Sequence, residues 1–504
     1  NPFEMTEEEG LMDGFAVGGL VTAMEQTVFP VGTQADDTDI INQYQTDYHL
    51  SADCWSGFFG QNNSTSWNSG RNNTTYFLID GWIAGTYTRS YTNAFNSWKK
   101  LKVFSEKNDA PEIYALAQVL KISAWHKTLE CFGPMPYTHA ADPTMNIPFD
   151  SEKAVYTAMF QDLTDAIDVL TEKAVNGIKV MEEYDAVYAG DTRKWVKYAN
   201  SLMLRLAIRV RFADEEMAKK YAIQAVGHSI GVMTARDDEA QMSAGAGITF
   251  RNNIEWLSET YEESRMGSSI FSYLMGYADP RLGAYFKPVD AASTAGQVAY
   301  DGKKYQAVPA GHTFAPNDVY KLFSKPKIES NTPTYWLRAS EVYFLRAEAL
   351  YKQGIEMSFQ ENGVTTSVDA YMNSGKAPMK HEFTGSYACS FPAPSTATAK
   401  FEGSTEQKLE KIIIQKWIAL FPNGQEAWTE WRRTGYPKLN PVMVNNGSSQ
   451  GATKESGVRR MIYPTSFYQT EEGQAIYNAA LLLLNNGQGG EDKSSTRLWW
   501  DCKR

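Results

Sequence analysis

Residue types that do chemistry are present in this chain, but not in the spacing that chemistry needs. It holds neither HExxH nor CxxC, so a helical zinc site and a thiol–disulfide pair both lack their minimum residues. A phosphate loop is approached only at Gly296-Gln297-Val298-Ala299-Tyr300-Asp301-Gly302-Lys303-Lys304. Five residues separate those glycines where a P-loop has four, and Lys304 stands where a hydroxyl must hold magnesium. His126, Glu130 and Cys131 have one-face helical spacing, yet six histidines and no second cluster predict a packed imidazole rather than a metal ligand. No cofactor is expected. Carboxylates are the serious enzymatic alternative, because glycoside hydrolysis needs two of them facing across a cleft. The candidates are Glu259 with Glu262 or Glu263, and Asp36-Asp37 with Asp39; nothing local marks one as a desolvated acid and its neighbour as a base. Oxygen ligands such as Asp36-Asp37-Thr38-Asp39 suit calcium, but EF-hand spacing is absent, so the metal stays unassigned. Asp162, Asp165 and Asp168 lie on a helix whose apolar positions face inward, which predicts a solvated face.

Composition narrows the class. The chain has 504 residues, 43% hydrophobic and 21% charged, which excludes disorder and coiled coil and fits about three folding units or one large composite. A net charge of −11 argues against nucleic acid, whose binders need a cationic face. The apolar run at 479–484 is about a third of the ~18–20 residues that a membrane-spanning helix needs. Asn1-Pro2-Phe3-Glu4 has no basic or apolar leader, so either the protein is cytosolic or an export segment has been removed. Cys54, Cys131, Cys389 and Cys502 are scattered, predicting buried or incidental thiols, with Cys389, in a loop, left open to pairing.

The elements that must position any site are helical. Periodicity predicts helices over 95–104, 113–132, 151–170, 191–212, 214–227, 334–351 and 409–421. Ala115, Ala117, Ala124, Ala199, Ala207, Ala339, Ala347 and Ala349 alternate with bulky neighbours, as in tetratricopeptide hairpins, but the array is irregular. Between these stretches lie long loops rich in Asn, Ser, Gly and Thr that still carry aromatics, the composition of functional surfaces.

An ordered series of segments resembles the SusD/RagB family of nutrient-binding outer-membrane lipoproteins of Bacteroidetes. It begins with Trp125 and Phe132-Gly133-Pro134-Met135-Pro136-Tyr137, continues through Asp162-Leu163-Thr164-Asp165-Ala166-Ile167 and Gly190-Asp191-Thr192-Arg193-Lys194-Trp195, and reaches Asn200, Arg205 and Asp279-Pro280-Arg281-Leu282. Ser340-Glu341, Arg346-Ala347-Glu348-Ala349, Gln415-Lys416-Trp417, Glu426-Ala427-Trp428 and Arg432-Arg433-Thr434-Gly435-Tyr436-Pro437 complete it. Asn200, Arg205, Glu341, Arg346 and Glu348 interrupt apolar helices, so they are expected to tie helices together as hydrogen-bonded ion pairs. Arg432-Arg433 are expected to bridge to the helix beginning near Glu410.

The resemblance implies a predominantly α, SusD-like fold of tetratricopeptide-like helix pairs with large irregular loops and a few short strands. Residues 1–504 are read as one composite domain, its scaffold mainly at 76–232, 334–354 and 408–437 and its ligand-side loops at 31–75, 250–333 and 355–405. It further implies a non-catalytic, surface-exposed outer-membrane lipoprotein that captures oligo- or polysaccharide and delivers it to a SusC-like TonB-dependent transporter. The leader and lipidated anchor Cys are expected outside this chain. The alternatives are a peptide-binding member, a glycoside hydrolase or an intracellular tetratricopeptide scaffold.

Ligand residues lie outside the shared motifs and follow from chemistry: sugar rings stack on aromatic faces while Asn, Asp and Arg bond their hydroxyls. The best local compositions are Trp55, Asn62, Asn63, Trp67, Asn68 and Arg71, and then Arg251-Asn252-Asn253 with Trp256 and Tyr261. Phe58 and Phe59 beside Trp55 suggest a small satellite core there, and Trp82 is expected inside the scaffold.

Overall fold

A computed structural model describes residues 14–32, 39–62, 64–312, 322–346, 350–384 and 388–503. Helix ends follow local capping chemistry. Pro111 opens Pro111–Phe132, where its missing N–H costs nothing. Ser151, Asp191 and Asp214 each accept a hydrogen bond from a first-turn amide of Glu152–Val175, Thr192–Arg209 and Glu215–Gly227. Ser404 and Gln407 form a reciprocal capping box at the start of Thr405–Leu420. Asn93–Lys107 packs on Pro111–Phe132, and each following helix of that series packs on its predecessor, with Gly14–Val28 laid across the first two. The small residues Ala115, Ala117, Ala124, Ala199 and Ala207 are buried at these close approaches.

A second group is built from Ala339–Leu345, Tyr351–Glu361, Thr405–Leu420 and Gly424–Thr434, joined to the first through Thr192–Arg209. The expected helix over 334–351 is not continuous. Thr334–Leu337 is a strand, paired antiparallel with Ala240–Met242. Its Thr-Tyr-Trp-Leu run is β-branched and aromatic and suits a pleated surface better than a helix. The loop-like segment 355–405 in turn includes most of Tyr351–Glu361. Three further short ladders pair Phe59–Gln61 with Ser264–Met266, Gln297–Val298 with Lys304–Tyr305, and His381–Phe383 with Cys389–Phe391.

The two helix groups meet at a buried charge network. Arg205 pairs with Glu341 at 2.6 Å. One turn on, Arg209 is clamped between Glu130 at 3.1 Å, Glu426 at 2.5 Å and Glu430. Lys416 pairs with Glu426 and Glu430 at 3.5 and 3.4 Å, and Arg433 with Glu430 at 2.6 Å. Arg205 and Glu341 thus act as ties between helices, as expected; Glu348 lies outside the described residues. Arg432 departs from expectation: its guanidinium donates to the carbonyls of Glu130 and Arg459, not to the 405–420 helix. Asp162 also departs, since it accepts from Lys121 and Tyr137, while Asp165 and Asp168 are exposed.

Burial opposes the charge on Glu426, but Arg209, Arg205 and Lys416 outweigh it and hold its carboxyl down at about 2. Its contribution to stability is therefore complete above its unfolded value of 4.5 and is lost as pH falls from there toward 2. Glu130, pushed up to about 7 by burial, has the opposite sign: it is protonated in the folded state throughout that window, and the part of its titration left to the unfolded chain below 4.5 slightly opposes the decline. Arg209→Met should cost about 3–5 kcal/mol by stranding buried carboxylates. It should also flatten the decline in stability between pH 4.5 and pH 2; urea denaturation across that range checks both.

Candidate ligand-binding cavity

The early and late loop segments are brought together by one short ladder. Gln61 lies opposite Ser264, and the Asn62 amide N–H donates to the Glu263 carbonyl at 2.7 Å. Asn62 is itself buried, its amide nitrogen donating to the Glu262 carbonyl at 3.2 Å. Trp67 is half-buried, with Asn68 and Arg71 exposed beside it. Asn68 takes a left-handed φ of 49° and donates to the Arg71 carbonyl, while the Arg71 guanidinium sits 4.0 Å over the Phe77 ring. Asn72 and Asn446 hold this loop by donating to the carbonyls of Trp67 and Gly70.

Trp256 is buried, stacked under the Arg251 guanidinium at 4.2 Å and edge-on to Tyr261. Arg251 is in turn paired with Glu255, and the half-buried Tyr261 donates to Asn42. Trp55 is buried as well; its indole donates to the Asn73 carbonyl and packs 4.9 Å from Trp428 in a satellite core. Trp82 is half-buried on Asp80–Tyr87.

Beneath the Trp67 loop, where it continues into Thr74 and Tyr76, lies a cavity of about 350 Å³. Tyr76 and Trp431 form its half-buried aromatic walls, with the edge of Trp55 behind them. Its polar lining includes Gln61, His312, Asn440, Lys454 and Glu455. Two of these amides are incompletely used. The Gln61 nitrogen reaches the Cys54 sulfur, and the Asn440 nitrogen donates to Ser268 and Ser272 at 2.7 and 3.0 Å. Their buried oxygens, Gln61 Oε1 and Asn440 Oδ1, have no partner among the described residues. A buried carbonyl without a donor is costly, and both oxygens are closed off from solvent, so neither faces into the open space of the cavity. His312 is held neutral, its pKa lowered by burial to about 4, and donates to the Gln61 main-chain carbonyl.

Tyr76, Trp431, Asn440 and His312 did not stand out in the sequence. Trp431 is embedded in a helix with buried Trp428 and Arg432 on either side, and only the helix orientation separates the outward indole from the inward one. Other cavities suit a ligand less well. A space of about 50 Å³ lined by Trp336 holds a few waters but not a sugar ring. A larger groove of about 670 Å³ has its indole, Trp499, buried and its amides, Asn485 and Gln488, exposed to water.

Among the described residues the candidate carboxylates do not assemble as an acid–base pair. Burial works against the charge on Glu259, but hydrogen bonds from Lys287 and Lys325, both 3.1 Å, outweigh it and hold the carboxyl below its usual range. A general acid needs the opposite shift. Glu263 accepts from Gln45, and Asp36 and Asp37 lie outside the described residues. Two serine patterns appear. His49 Nδ1 donates to Asp53 while its Nε2 lies 2.8 Å from the Ser264 hydroxyl, a triad geometry; yet His49 and Ser264 are fully buried, and Tyr44 and the Gly424 amide also donate to Asp53. A substrate cannot reach that hydroxyl, and the chain of bonds acts as a bracket. Gly447-Ser448-Ser449-Gln450-Gly451 has nucleophile-elbow spacing, but Ser448–Gln450 is a 3-10 turn rather than the strand-to-helix bend an elbow requires. Among the described residues no cluster of three metal-ligating side chains forms; His126 donates to the Ile122 carbonyl and Glu130 serves Arg209. All four cysteines are free.

With this geometry in hand, comparison with known proteins identifies the scaffold. The SusD-like family model, described as Susd and RagB outer membrane lipoprotein, matches residues 1–501. A chitin-binding SusD homologue from Flavobacterium johnsoniae superposes with a TM-score of 0.86 at 29% identity, covering 97% of this chain and 99% of its own. A SusD homologue from Bacteroides uniformis gives 0.85 at 30% identity, covering 97% and 100%. Another from Bacteroides thetaiotaomicron gives 0.83 at 31% identity, covering 97% and 99%. No curated protein matches the chain.

Gly457 borders Trp431 with a φ of 57°, and a Cβ there would lie 3.0 Å from the indole edge. Gly457→Ala should cost about 1–2 kcal/mol from the left-handed backbone alone. It should also displace the indole; thermal unfolding and near-UV circular dichroism check the two effects.

Proposed function

The chain belongs to the SusD-like family, and on that premise we propose that it is a non-catalytic, cell-surface glycan-binding protein that passes oligo- or polysaccharide to a SusC-like TonB-dependent transporter. The observation that carries this is the cavity: two half-buried aromatic walls for C–H faces, with the exposed Lys454 and Glu455 in its lining for hydroxyls. Its size of about 350 Å³ lies in the range of small-molecule sites. The chitin-binding homologue supports the reading, because the same scaffold there takes a polysaccharide. We place the ligand against Tyr76 and Trp431, with Trp67, Asn68 and Arg71 on the adjoining loop as outer contacts. Asn62, Trp256 and Tyr261 support the backbone beneath.

Two further expectations belong to the same reading. The chain acts as one composite domain, which the hydrophobic core running from Val17 to Trp500 favours. It is anchored at the outer membrane through an N-terminal lipid, as the family description implies; among the described residues no helix is long and apolar enough to cross a membrane. The cation-bound state of Glu259 favours binding without hydrolysis.

Affinity electrophoresis against plant, host and microbial polysaccharides, including a soluble chitin derivative, tests the proposal. Trp431→Ala should weaken retardation about tenfold, the loss of one stacking face. Trp67→Ala should weaken it less, and no variant should release product. Retardation by no polymer would move the reading to a peptide ligand, and product release would end the non-catalytic one.

A further inference from the structure

We propose that Arg459 is the positioning residue of the cavity: gripped by Asp501, its guanidinium holds the Trp431 indole as a preformed stacking wall. This rests on the glycan-binding reading above.

Trp431 is the one half-buried residue of Gly424–Thr434, whose other residues are buried, and an indole on that open face would have more than one rotamer available to it. Ordering such a side chain only when ligand arrives subtracts from affinity, so a stacking wall works best when it is fixed beforehand. Besides the hydrophobic cluster it packs against, two neighbours restrict it. Gly457 meets the edge of the six-membered ring, and the Arg459 guanidinium carbon lies 4.9 Å from the ring centroid.

Arg459 is not itself free to move. It is 7% exposed, and its Nε and Nη2 lie 3.1 and 3.3 Å from the two Asp501 oxygens. Its main-chain N–H donates to the Ser494 carbonyl at 2.7 Å, and its carbonyl accepts from Arg432 at 2.9 Å. Asp501 is 1% exposed and has a second partner, Arg497, at 3.1 Å, so it stays in place whichever way the indole turns. A methionine would fill the same volume, but only a cation both satisfies Asp501 and attracts the ring face. The line from Asp501 through Arg459 to Trp431 therefore carries the rigidity of the C-terminal segment into the ligand site.

The test labels the full chain with 5-fluorotryptophan and assigns the Trp431 fluorine resonance by its loss in Trp431→Phe. In ligand-free Arg459→Met that resonance should shift or broaden while the other indoles keep theirs, an effect that general loosening would spread over all of them. Glycan affinity should fall about five- to tenfold in Arg459→Met. The same substitution in a Trp431→Ala background should produce no further loss, because the residue acts through the indole. Arg459→Lys, which keeps the charge, should give the same changes at smaller size and serves if the methionine variant does not fold. An unmoved Trp431 resonance, or losses that add in the double variant, would overturn the inference. Wild type that binds no glycan refutes the reading beneath it; wild type that binds, with Arg459→Met binding equally well, refutes the inference alone.

Discussion

Everything in this protein depends on keeping one buried arginine neutralised. Arg209 has no solvent exposure and is surrounded by Glu130, Glu426 and Glu430, with Arg205, Lys416 and Arg433 balancing the excess carboxylates. Four cations thus face four carboxyl groups once Glu341 is counted. Taking such charges out of water is expensive, and the cost is recovered only where every partner is in place. The network is therefore a registration device more than a source of stability. It admits one arrangement of the helices at 111–132, 192–209, 339–345, 405–420 and 424–434, and others leave a charge stranded.

The same constraint reaches the proposed ligand cavity through a single helix. Gly424–Thr434 turns Glu426 and Glu430 toward the network, Trp428 toward Trp55, and Trp431 toward the cavity. Its two buried faces cannot rotate without breaking ion pairs or the Trp55–Trp428 contact, so the third face is held where the network sets it. From the other side, loops 64–76 and 440–458 lean on each other: Asn446 donates to Thr75 and Gly70, and Gln450 exchanges two hydrogen bonds with Leu78. Loops of this length would be mobile by themselves; here their backbone polar groups are spent on one another. The cavity is thus rigid on its helical side and braced on its loop side, as preorganised recognition requires.

Much of the scaffold was legible in the residues. Ser151, Asp191 and Asp214 announced helix starts that the structure confirms, and Arg205 and Glu341, charged within apolar helices, announced their ion pair. Residues 334–337 were misread because a short aromatic and β-branched run is compatible with either element until its partner, Ala240–Met242, is known. Asp162 looked like its exposed neighbours Asp165 and Asp168, since helical spacing gives the side of a helix but not what packs over it; Lys121 and Tyr137 come from elsewhere in the chain.

The sequence by itself pointed to the class of molecule: its net charge argued against a nucleic-acid partner, and the ordered motifs identified the family, because these properties are carried by single residues and local spacing. Only the tertiary structure brought the proposed site together. Tyr76, Trp431, Gln61, Asn440 and His312 come from segments separated by up to hundreds of positions, and what makes them a cavity is the packing of the two loops on one helix. Trp256 and Trp55, aromatic and flanked by polar residues, carried the composition of ligand contacts and are buried under Arg251 and against Trp428. Composition reports which groups are available to a sugar; the direction in which each faces is set by long-range contacts, and no local pattern encodes it.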